Sequence, residues 1–387
     1  MPSQSTLTES TWCSSAEACA RLGVRSQTLY AYVSRGFLRP RKEAGRSRFS
    51  VAELDQLAAK GRRRPRGGRL EVLIDTEVTL LEPRGRLCYR GVDVADLVGQ
   101  WSFERTAELL WAGVDHGRPA PWPEPPAGPI TSTALRGTGV HAGDRIRASL
   151  ALLAATAPTA DRDLDAAGTI GRRLIPALVA ALPVVGAPAA SPASVAVTLW
   201  PRLSPTPATR ARVAALGAAL VLLADHELAA STVAARVAAS VWSPPLDVVL
   251  AGMAAHAGLL SGGSSHLLES SLRRGTAPTF GYGHPVYADR DPRADLLLPF
   301  VASVTPVALR RLVEAGATEV GAAPNIDLIT ALLAVGNEMV PGAGEAIFAC
   351  ARTVGWLAHA AEEYRNPFRF RPRASYVGQT PPDTGVR

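Results

Sequence analysis

Cysteines and aromatic residues are scarce in this sequence of 387 residues. The four cysteines, Cys13, Cys19, Cys88 and Cys350, form neither a CxxC pair nor a histidine-matched spacing, so neither a disulfide framework nor a zinc site is predicted. Aromatic residues account for 6% of the chain and alanine is abundant in its middle, which favours helices over sheets. Phosphate-binding glycine loops and internal repeats are also missing. We therefore expect no bound metal and no permanently bound cofactor.

A hydrophobic run suited to a membrane span is missing as well. The longest uncharged stretch, 174–201, is interrupted by four internal prolines, which a lipid-facing helix tolerates poorly. We interpret it as two buried helical segments joined by a turn. The first residues lack the basic-then-apolar order of a signal peptide. A cytoplasmic protein without membrane contact is expected.

Positive charge is concentrated at one end of the chain. The net charge is +7; the first 70 residues carry 14 lysines and arginines against five acidic residues, and the other 317 residues have a net charge of −2. A basic head on a nearly neutral body favours an anionic partner such as nucleic acid. The alternative is a solvated basic tail, but the head has a helical pattern.

The head has the pattern of a helix-turn-helix. Residues 14–22 begin with N-cap candidates and carry small and apolar side chains at helical spacing. Gly23 and Val24 form a turn, and residues 25–33 predict a second helix. This helix opens with three side chains that can reach base edges or phosphates of duplex DNA, namely Arg25, Ser26 and Gln27. Residues 51–57 predict a third helix.

A basic stretch at 41–49 lies between the second and third predicted helices and includes Arg46 and Arg48. It would form a wing against the phosphate backbone. This head resembles the winged helix-turn-helix of MerR-type regulators and excisionases, so we assign residues 1–60 to a DNA-binding domain and 61–71 to a basic linker. The alternative is a small helical module for protein contacts.

From residue 72 onward the pattern predicts a long run of helices with short turns, including residues 87–97 and 102–113. Four segments in this body place unusual polar residues among apolar or small ones. The residues are His226 in LLADHEL, His284 in FGYGHPVY, Asp327 in PNID, and Arg352 in IFACARTVGW.

Each of these residues also has an ordinary interpretation. His226 could be a surface or core histidine, and the glycines around His284 could form a plain turn. Asp327 could be an N-cap, and Arg352 could extend to solvent along its helix. A buried arginine, by contrast, would require an anionic partner.

Together the four segments, with Asp291-Pro292-Arg293 and a terminal Arg-Pro-Arg, resemble citrate synthases in order and spacing. The resemblance covers roughly residues 72–380. It implies an all-α citrate synthase fold, with a large domain at 72–262 and 340–387 and a small domain at 263–339.

The resemblance also implies roles for individual residues. His226 and His284 would lie at the ketone of oxaloacetate, and Arg293 and Arg352 would bind its carboxylates, which suit guanidinium groups. Asp327 would take a proton from the co-substrate acetyl-CoA, and the resulting citryl-CoA would be hydrolysed to citrate and CoA. Two further positions complete the set: Phe348 as a packing residue, and Arg371 as an arginine that reaches the neighbouring subunit of a homodimer.

The sequence departs from the family at the HGGA element, which carries another catalytic histidine. Here Gly262 and Gly263 are preceded by Ser261, and His256 and His266 are each five residues from that position. Serine is a shorter donor, so we expect the rate to fall by roughly 10²–10³. Pro285 and Ala288 replace the family's usual arginine and lysine, and the small domain is shorter, which weakens the prediction of CoA binding.

Three functions remain open at this point. The leading one is a citrate synthase-type acyltransferase of reduced activity, which the retained Asp327 favours. The second is a transcription regulator that senses a 2-oxo dicarboxylate or citrate, which Ser261 and the DNA-binding head favour. The third is a related condensing enzyme, such as a methylcitrate synthase, that uses another acyl-CoA or 2-oxo acid.

Overall fold

The computed structural model describes most of the chain. The described residues are 12–22, 24, 26–34, 38–43, 46–54, 73–82, 85–117, 119, 121–123, 139–156, 167–188, 194–258, 265–365 and 370. The predicted all-α fold is confirmed, with two small three-stranded sheets added to the helices.

The head folds around its own small hydrophobic core. Its elements are β1 (Trp12–Ser14), α1 (Ser15–Leu22), α2 (Ser26–Ser34), β2 (Arg41–Glu43), β3 (Arg46–Ser50) and α3 (51–54). The predicted wing is an antiparallel hairpin of β2 and β3, and β1 pairs with the other edge of β3, which the sequence pattern did not indicate. The buried core residues of the head come from its three helices, the wing and the segment before the wing: Ala18, Leu29, Leu38, Phe49 and Leu54.

The body begins with strands where the pattern predicted helices. Three antiparallel strands, β4 (Thr79–Glu82), β5 (Arg86–Tyr89) and β6 (Val92–Asp93), precede the short helix α4 (Val94–Leu97). The helical interpretation of 87–93 was wrong because three consecutive side chains of β5 are buried, and such short apolar runs do not distinguish strand from helix. The hydroxyl of Tyr89 reaches the backbone at the end of α9, so this sheet supports the segment that carries His226.

Helices form the rest of the body. They are α5 (Phe103–Ala112), α6 (Ala142–Thr156), α7 (Ala167–Ala180), α8 (Val195–Leu203), α9 (Arg210–Leu223), α10 (Ala230–Ser240), α11 (Pro245–His256), α12 (Ser265–Arg273), α13 (Pro292–Ala302), α14 (Val307–Val320), α15 (Ile326–Gly336) and α16 (Ala343–Arg365). The uncharged stretch 174–201 contains parts of α7 and α8, as predicted. Among the described helices, none is long and apolar enough to cross a membrane.

Helix α16 is buried on all sides and forms the centre of the body. It packs against α9, α10, α11 and α15, among others, and nearly all of its side chains from Ala346 to Ala361 are inaccessible to solvent. A helix buried all round requires small residues at its crossings. Gly355 is one of them: its amide donates to the carbonyl of Ala224, and a Cβ there would overlap the Asp225 carboxylate. This close approach brings α16 against the end of α9. The division into large and small domains stays a prediction.

Candidate active site

The turn after α9 presents His226. Asp225 is fully buried, and its Oδ2 accepts hydrogen bonds from Thr79 Oγ1 (2.6 Å), the Glu227 amide (3.0 Å) and His359 Nε2 (3.2 Å). Glu227 has a φ of 50°, a left-handed conformation that is uncommon for a residue other than glycine. The Asp225 carboxylate therefore stabilises the unfavourable backbone conformation of the turn that carries His226.

Three aromatic rings meet at this turn: those of His226, His284 and Tyr287. Ring centroids are separated by 5.1 Å between the histidines and by 4.9 Å between His284 and Tyr287. The Tyr287 hydroxyl lies 3.0 Å from Nε2 of His226. Burial and the positive charge of Arg293 lower the pKa of His226 well below its usual value and that of His284 to about 4. Burial raises the pKa of Tyr287 to about 12. At neutral pH all three groups are uncharged.

His284 faces donors at both ring nitrogens. The Val286 amide donates to Nδ1 over 3.2 Å, and in the tautomer that accepts this bond the proton of the neutral ring is on Nε2. Nη2 of Arg293 lies 3.3 Å from the same Nε2. Two donors that face each other in this way would both be satisfied by an oxygen atom of a ligand. The pair therefore suits a carbonyl or carboxylate oxygen.

Arg293 is held at the start of α13 by the preceding acid. Asp291 is the N-cap of this helix, and its carboxylate accepts from the Arg293 amide (3.1 Å), from Nε (2.9 Å) and from Nη2 (2.8 Å). Both residues are buried. Burial disfavours the charge of Arg293, but Asp291 outweighs it and raises the pKa of the guanidinium. Because an arginine has five N–H donors, Asp291 leaves several of them for a ligand.

Arg352 is the second buried arginine, with 2% of its surface exposed, so the interpretation that it extends to solvent was wrong. Its Nε donates to the carbonyl of Leu223 (2.8 Å), and its guanidinium carbon lies 4.5 Å from the ring centroid of Phe348. Burial lowers the pKa of Arg352, while the charge of Asp225 raises it. Within the described residues no carboxylate forms an ion pair with this guanidinium, so its charge is available to bind an anionic ligand.

Asp327 lies in the first turn of α15 but does not cap it. The N-cap is Asn325, whose Oδ1 accepts from the Leu328 amide (3.2 Å). Asn325 also ties the helix to the loop of His284: its amide donates to the carbonyl of Gly281 (2.9 Å) and its Nδ2 to that of Gly283 (3.2 Å). The ordinary interpretation of Asp327 as a cap was therefore wrong, and the carboxylate is left for another role.

Burial raises the pKa of the Asp327 carboxyl. The charges of Arg293 and Arg352 act in the opposite direction, and that of Asp291 adds to the increase. The hydrogen bond from the neighbouring Ile326 amide to Asp291, which pairs with Arg293, places the start of α15 beside this arginine. A carboxylate with a raised pKa is a stronger base than one at the surface.

Three functional candidates were missed by the sequence analysis. Tyr287 and Asp291 lie inside the quoted segments, but nothing in their spacing indicates the bond to His226 or the pairing with Arg293. His256 was set aside by its distance from the glycine pair along the chain. Its ring stacks on Phe348 with centroids 3.5 Å apart, and burial lowers its pKa to about 3. Only the packing of α11 on α16 reveals that contact.

Several predicted positions lie outside the described residues, namely Arg25, Ser261 and Arg371. In the head, Ser26 is exposed at the start of α2, and Arg48 forms an ion pair with Glu43 across the wing (3.5 Å). Gln27 lies in α2 and Arg46 in β3, without described side chains. In the part of the chain that is described, no cluster of histidine, cysteine and acidic side chains could hold a metal ion.

A helical body in which neutral histidines, buried guanidinium groups and one carboxylate converge is suited to a small anionic ligand. The family model of the citrate synthase C-terminal domain matches residues 130–373, and that of a helix-turn-helix domain matches residues 12–62. The chain belongs to the citrate synthase family and carries a helix-turn-helix domain at its N-terminal side.

Curated relatives support this membership. Citrate synthase 2 of Bacillus subtilis is 32% identical over 190 residues, which cover 43% of this chain and 51% of the relative. Citrate synthase of Thermoplasma acidophilum is 30% identical over 204 residues, 44% of this chain and 53% of the relative. For these relatives the match spans about half of their length. A Mycobacterium tuberculosis protein, provisionally named citrate synthase 2, is 31% identical over 77% of this chain and 88% of its own.

Solved structures show the same fold. Citrate synthase from Thermotoga maritima aligns with a TM-score of 0.63 at 23% identity, over 82% of this chain and 96% of that one. The Thermoplasma acidophilum enzyme, in a ternary complex with carboxymethyl coenzyme A and oxaloacetate, aligns with a TM-score of 0.61 at 22% identity, over 80% and 95%.

Proposed function

We propose that the chain is a citrate synthase-type acyltransferase, which condenses acetyl-CoA with oxaloacetate to give citrate and CoA. The observation that carries the proposal is Arg352, a buried guanidinium without a carboxylate partner among the described residues, beside His226. A buried charge without a partner is costly unless a ligand supplies the opposite charge. A dicarboxylate would supply one negative charge to Arg352 and a second to Arg293.

The histidines would orient the ketone of this dicarboxylate. His284 is neutral at pH 7 and carries its proton on Nε2, so it can donate to the ketone oxygen as negative charge develops there. His226, neutral as well, would bind the same face of the ligand, with Tyr287 fixing its ring. A neutral donor suits this step because it adds no competing positive charge to the arginine sites.

Asp327 would act as the base. Its carboxylate would remove a proton from the methyl group of acetyl-CoA, and the enolate carbon would then form a bond to the ketone carbon of oxaloacetate. The ketone oxygen would take a proton, and water would cleave the thioester to release CoA. The raised pKa of Asp327 favours the first of these steps.

Ser261 and Arg371 complete the proposal from the sequence. Ser261 stands where the family has a histidine that stabilises the enolate, so we expect turnover roughly 10²–10³ below that of a histidine-containing enzyme. Arg371 would reach the ligand of the neighbouring subunit in a homodimer.

Calorimetric titration of the chain with oxaloacetate and citrate, together with release of CoA from acetyl-CoA and oxaloacetate, tests this function. Propionyl-CoA in the same assay tests the alternative acyl donor. We expect oxaloacetate binding and slow release of CoA. The proposal is abandoned if neither ligand binds.

A second candidate is a DNA-binding regulator that senses the same ligand, which the helix-turn-helix match favours. The exposed wing strand β2 carries Arg41 and Lys42, and Arg48 lies on the neighbouring strand. These cations suit the phosphate backbone. Gel shifts with the promoter of the chain's own gene, with and without oxaloacetate, distinguish the two candidates: a regulator changes its DNA affinity with ligand, whereas an enzyme with a separate DNA-binding head does not.

A further inference from the structure

Asp291 contacts both Arg293 and the first residue of the helix that carries Asp327. Its carboxylate accepts four hydrogen bonds: three from the amide, Nε and Nη2 of Arg293, and one from the amide of Ile326 (3.1 Å). Ile326 is the first residue of α15, and the next residue is Asp327. One buried carboxylate therefore contacts both the arginine and the helix end that carries the base.

We propose that Asp291 is a positioning residue that occupies Arg293 and thereby keeps this arginine from pairing with Asp327. The proposal rests on the function given above, because it explains how Asp327 keeps its basicity close to two buried arginines. Asp327 would otherwise be the natural counter-ion of Arg293.

The geometry supports this division of partners. Arg293 forms a two-point ion pair with Asp291 through Nε and Nη2. In the described part of the chain, no arginine, lysine or histidine nitrogen lies within 4.0 Å of an Asp327 carboxylate oxygen. Asp327 follows Ile326, whose amide donates to Asp291, so both acids lie at the end of α15 that faces Arg293, and the charge of Asp327 raises the pKa of this arginine. Arg293 therefore has two carboxylates at hand, those of Asp291 and Asp327, and it pairs with Asp291.

The chemical consequence concerns basicity. A carboxylate that accepts two hydrogen bonds from an arginine is stabilised in its charged form. Its pKa is therefore lowered, and it is a poor base. The charged groups that act on Asp327 are Arg293, Asp291 and Arg352. Without Asp291, a buried Arg293 would turn to Asp327, and the loss of the negative charge at 291 would lower the pKa of Asp327 further.

The test is a titration of the full-length chain without ligand. Aspartate labelled with ¹³C at the side-chain carboxyl is followed by NMR over pH in wild type and D291N, with D327N to assign the signal of Asp327. Asparagine is also a good N-cap, so the start of α13 is retained. The matched control is D295N, which removes the acid that pairs with Arg290 through Nε (2.8 Å) on the exposed side of the same helix.

We expect the pKa of Asp327 to fall in D291N and to stay unchanged in D295N. The double variant D291N/R293Q removes both charges of the pair, so it does not leave Arg293 buried without its partner. Because Arg293 acts on Asp327 more strongly than Asp291 does, the pKa of Asp327 should rise above the wild-type value in this variant. The proposal would be overturned if D291N folds and the pKa of its Asp327 is unchanged. If D291N does not fold, the double variant takes its place, and an unchanged pKa of Asp327 there would overturn the proposal.

Activity is measured in parallel on the same proteins. We expect D291N to release CoA about tenfold more slowly at pH 7.5, with the acidic limb of its pH profile moved to lower pH, and D295N to behave as wild type. If the wild-type chain binds no oxaloacetate and releases no CoA, only the proposed function is contradicted. The carboxyl titration would then still decide the role of Asp291.

Discussion

Arg352 and Leu223 are joined by a hydrogen bond of 2.8 Å from the guanidinium Nε to the carbonyl oxygen. Leu223 is the last residue of α9, three positions before His226, so the bond fixes the arginine of α16 beside the histidine turn. The remaining donors of this guanidinium have no carboxylate partner among the described residues. This arrangement suggests that Arg352 serves ligand binding at the expense of stability.

Replacement of Arg352 with methionine tests that trade-off. We expect oxaloacetate affinity to fall by about 2–5 kcal/mol, because a ligand carboxylate loses its partner. The free energy of unfolding should not fall, since an apolar side chain of similar length replaces a buried charge. Calorimetry and urea denaturation measure the two quantities. Arg202→Met is the control: Arg202 is also a partly buried arginine bound to carbonyl oxygens, those of Ala180 and Leu182. Unchanged affinity in Arg352→Met would contradict the assignment.

Replacement of Asp327 with asparagine should abolish CoA release and stabilise the fold at pH 7. The folded-state pKa of Asp327 is raised, so the folded protein binds a proton more tightly than the unfolded chain does. The free energy of unfolding therefore decreases as pH rises from the pKa of the unfolded state through the pKa of the folded state. Above the folded-state pKa the wild type carries the full free-energy cost of the buried negative charge. We expect a gain of about 1–3 kcal/mol in the variant at pH 7.

That gain should vanish under acidic conditions, where Asp327 is protonated in both states. Denaturation of wild type and variant at a series of pH values measures the difference, and Asp289→Asn, at an exposed position nearby, controls for the loss of one negative charge. A gain that is the same at every pH would mean that the charge of Asp327 is not what destabilises the fold.

Histidine at position 261 should raise turnover. Proton removal by Asp327 requires a donor for the enolate oxygen, and an imidazole reaches farther than a serine hydroxyl. We expect CoA release to increase by about tenfold or more in Ser261→His, with oxaloacetate affinity unchanged because the arginines are untouched. Ser264→His, three positions further along the chain, is the control. If the wild type already turns over rapidly and Ser261→His slows it, another group has taken over the role of the missing histidine.

The basic head should bind duplex DNA with a steep dependence on salt. Removal of residues 1–66 should eliminate this binding, and Arg48→Ala should reduce the slope of log affinity against log salt by about 1, the contribution of one phosphate contact. Gel shifts or anisotropy at several salt concentrations measure the slope. Arg86→Ala, an arginine of the body that pairs with Asp93, is the control. Equal DNA binding by the truncated chain would exclude the head as the DNA-binding domain.

The residues of the candidate site could be identified from the sequence because each is chemically out of place. His226 follows an apolar helix, Asp327 and Arg352 lie within apolar helices, and His284 follows glycines, so local composition marks them as unusual and their order and spacing relate them to citrate synthases. Their common location could not be derived in this way. It depends on contacts between residues far apart in the chain, such as the hydrogen bonds of Asn325 to the loop around Gly281.

The β-sheet at the start of the body illustrates a different limit. The side chains of β5 are apolar in a row, and a row of this length is compatible with a buried strand or a piece of buried helix. Residues 86–89 form a strand because they pair with β4 and because the Tyr89 hydroxyl bonds to the backbone after α9, and both contacts are tertiary.

By itself the sequence determined the helical class and the basic helix-turn-helix head, and its resemblance to citrate synthases implied which arginines, histidines and acid could bind and activate a dicarboxylate. The helical class and the head follow from composition, charge and periodicity, which are local, and the resemblance depends on the order and spacing of short motifs along the chain. The tertiary structure alone decided which acid is paired and which is left as a base. Asp291 and Asp327 are the same residue type, and their roles differ because the fold brings Arg293 to one of them and leaves the other without an ion pair among the described residues.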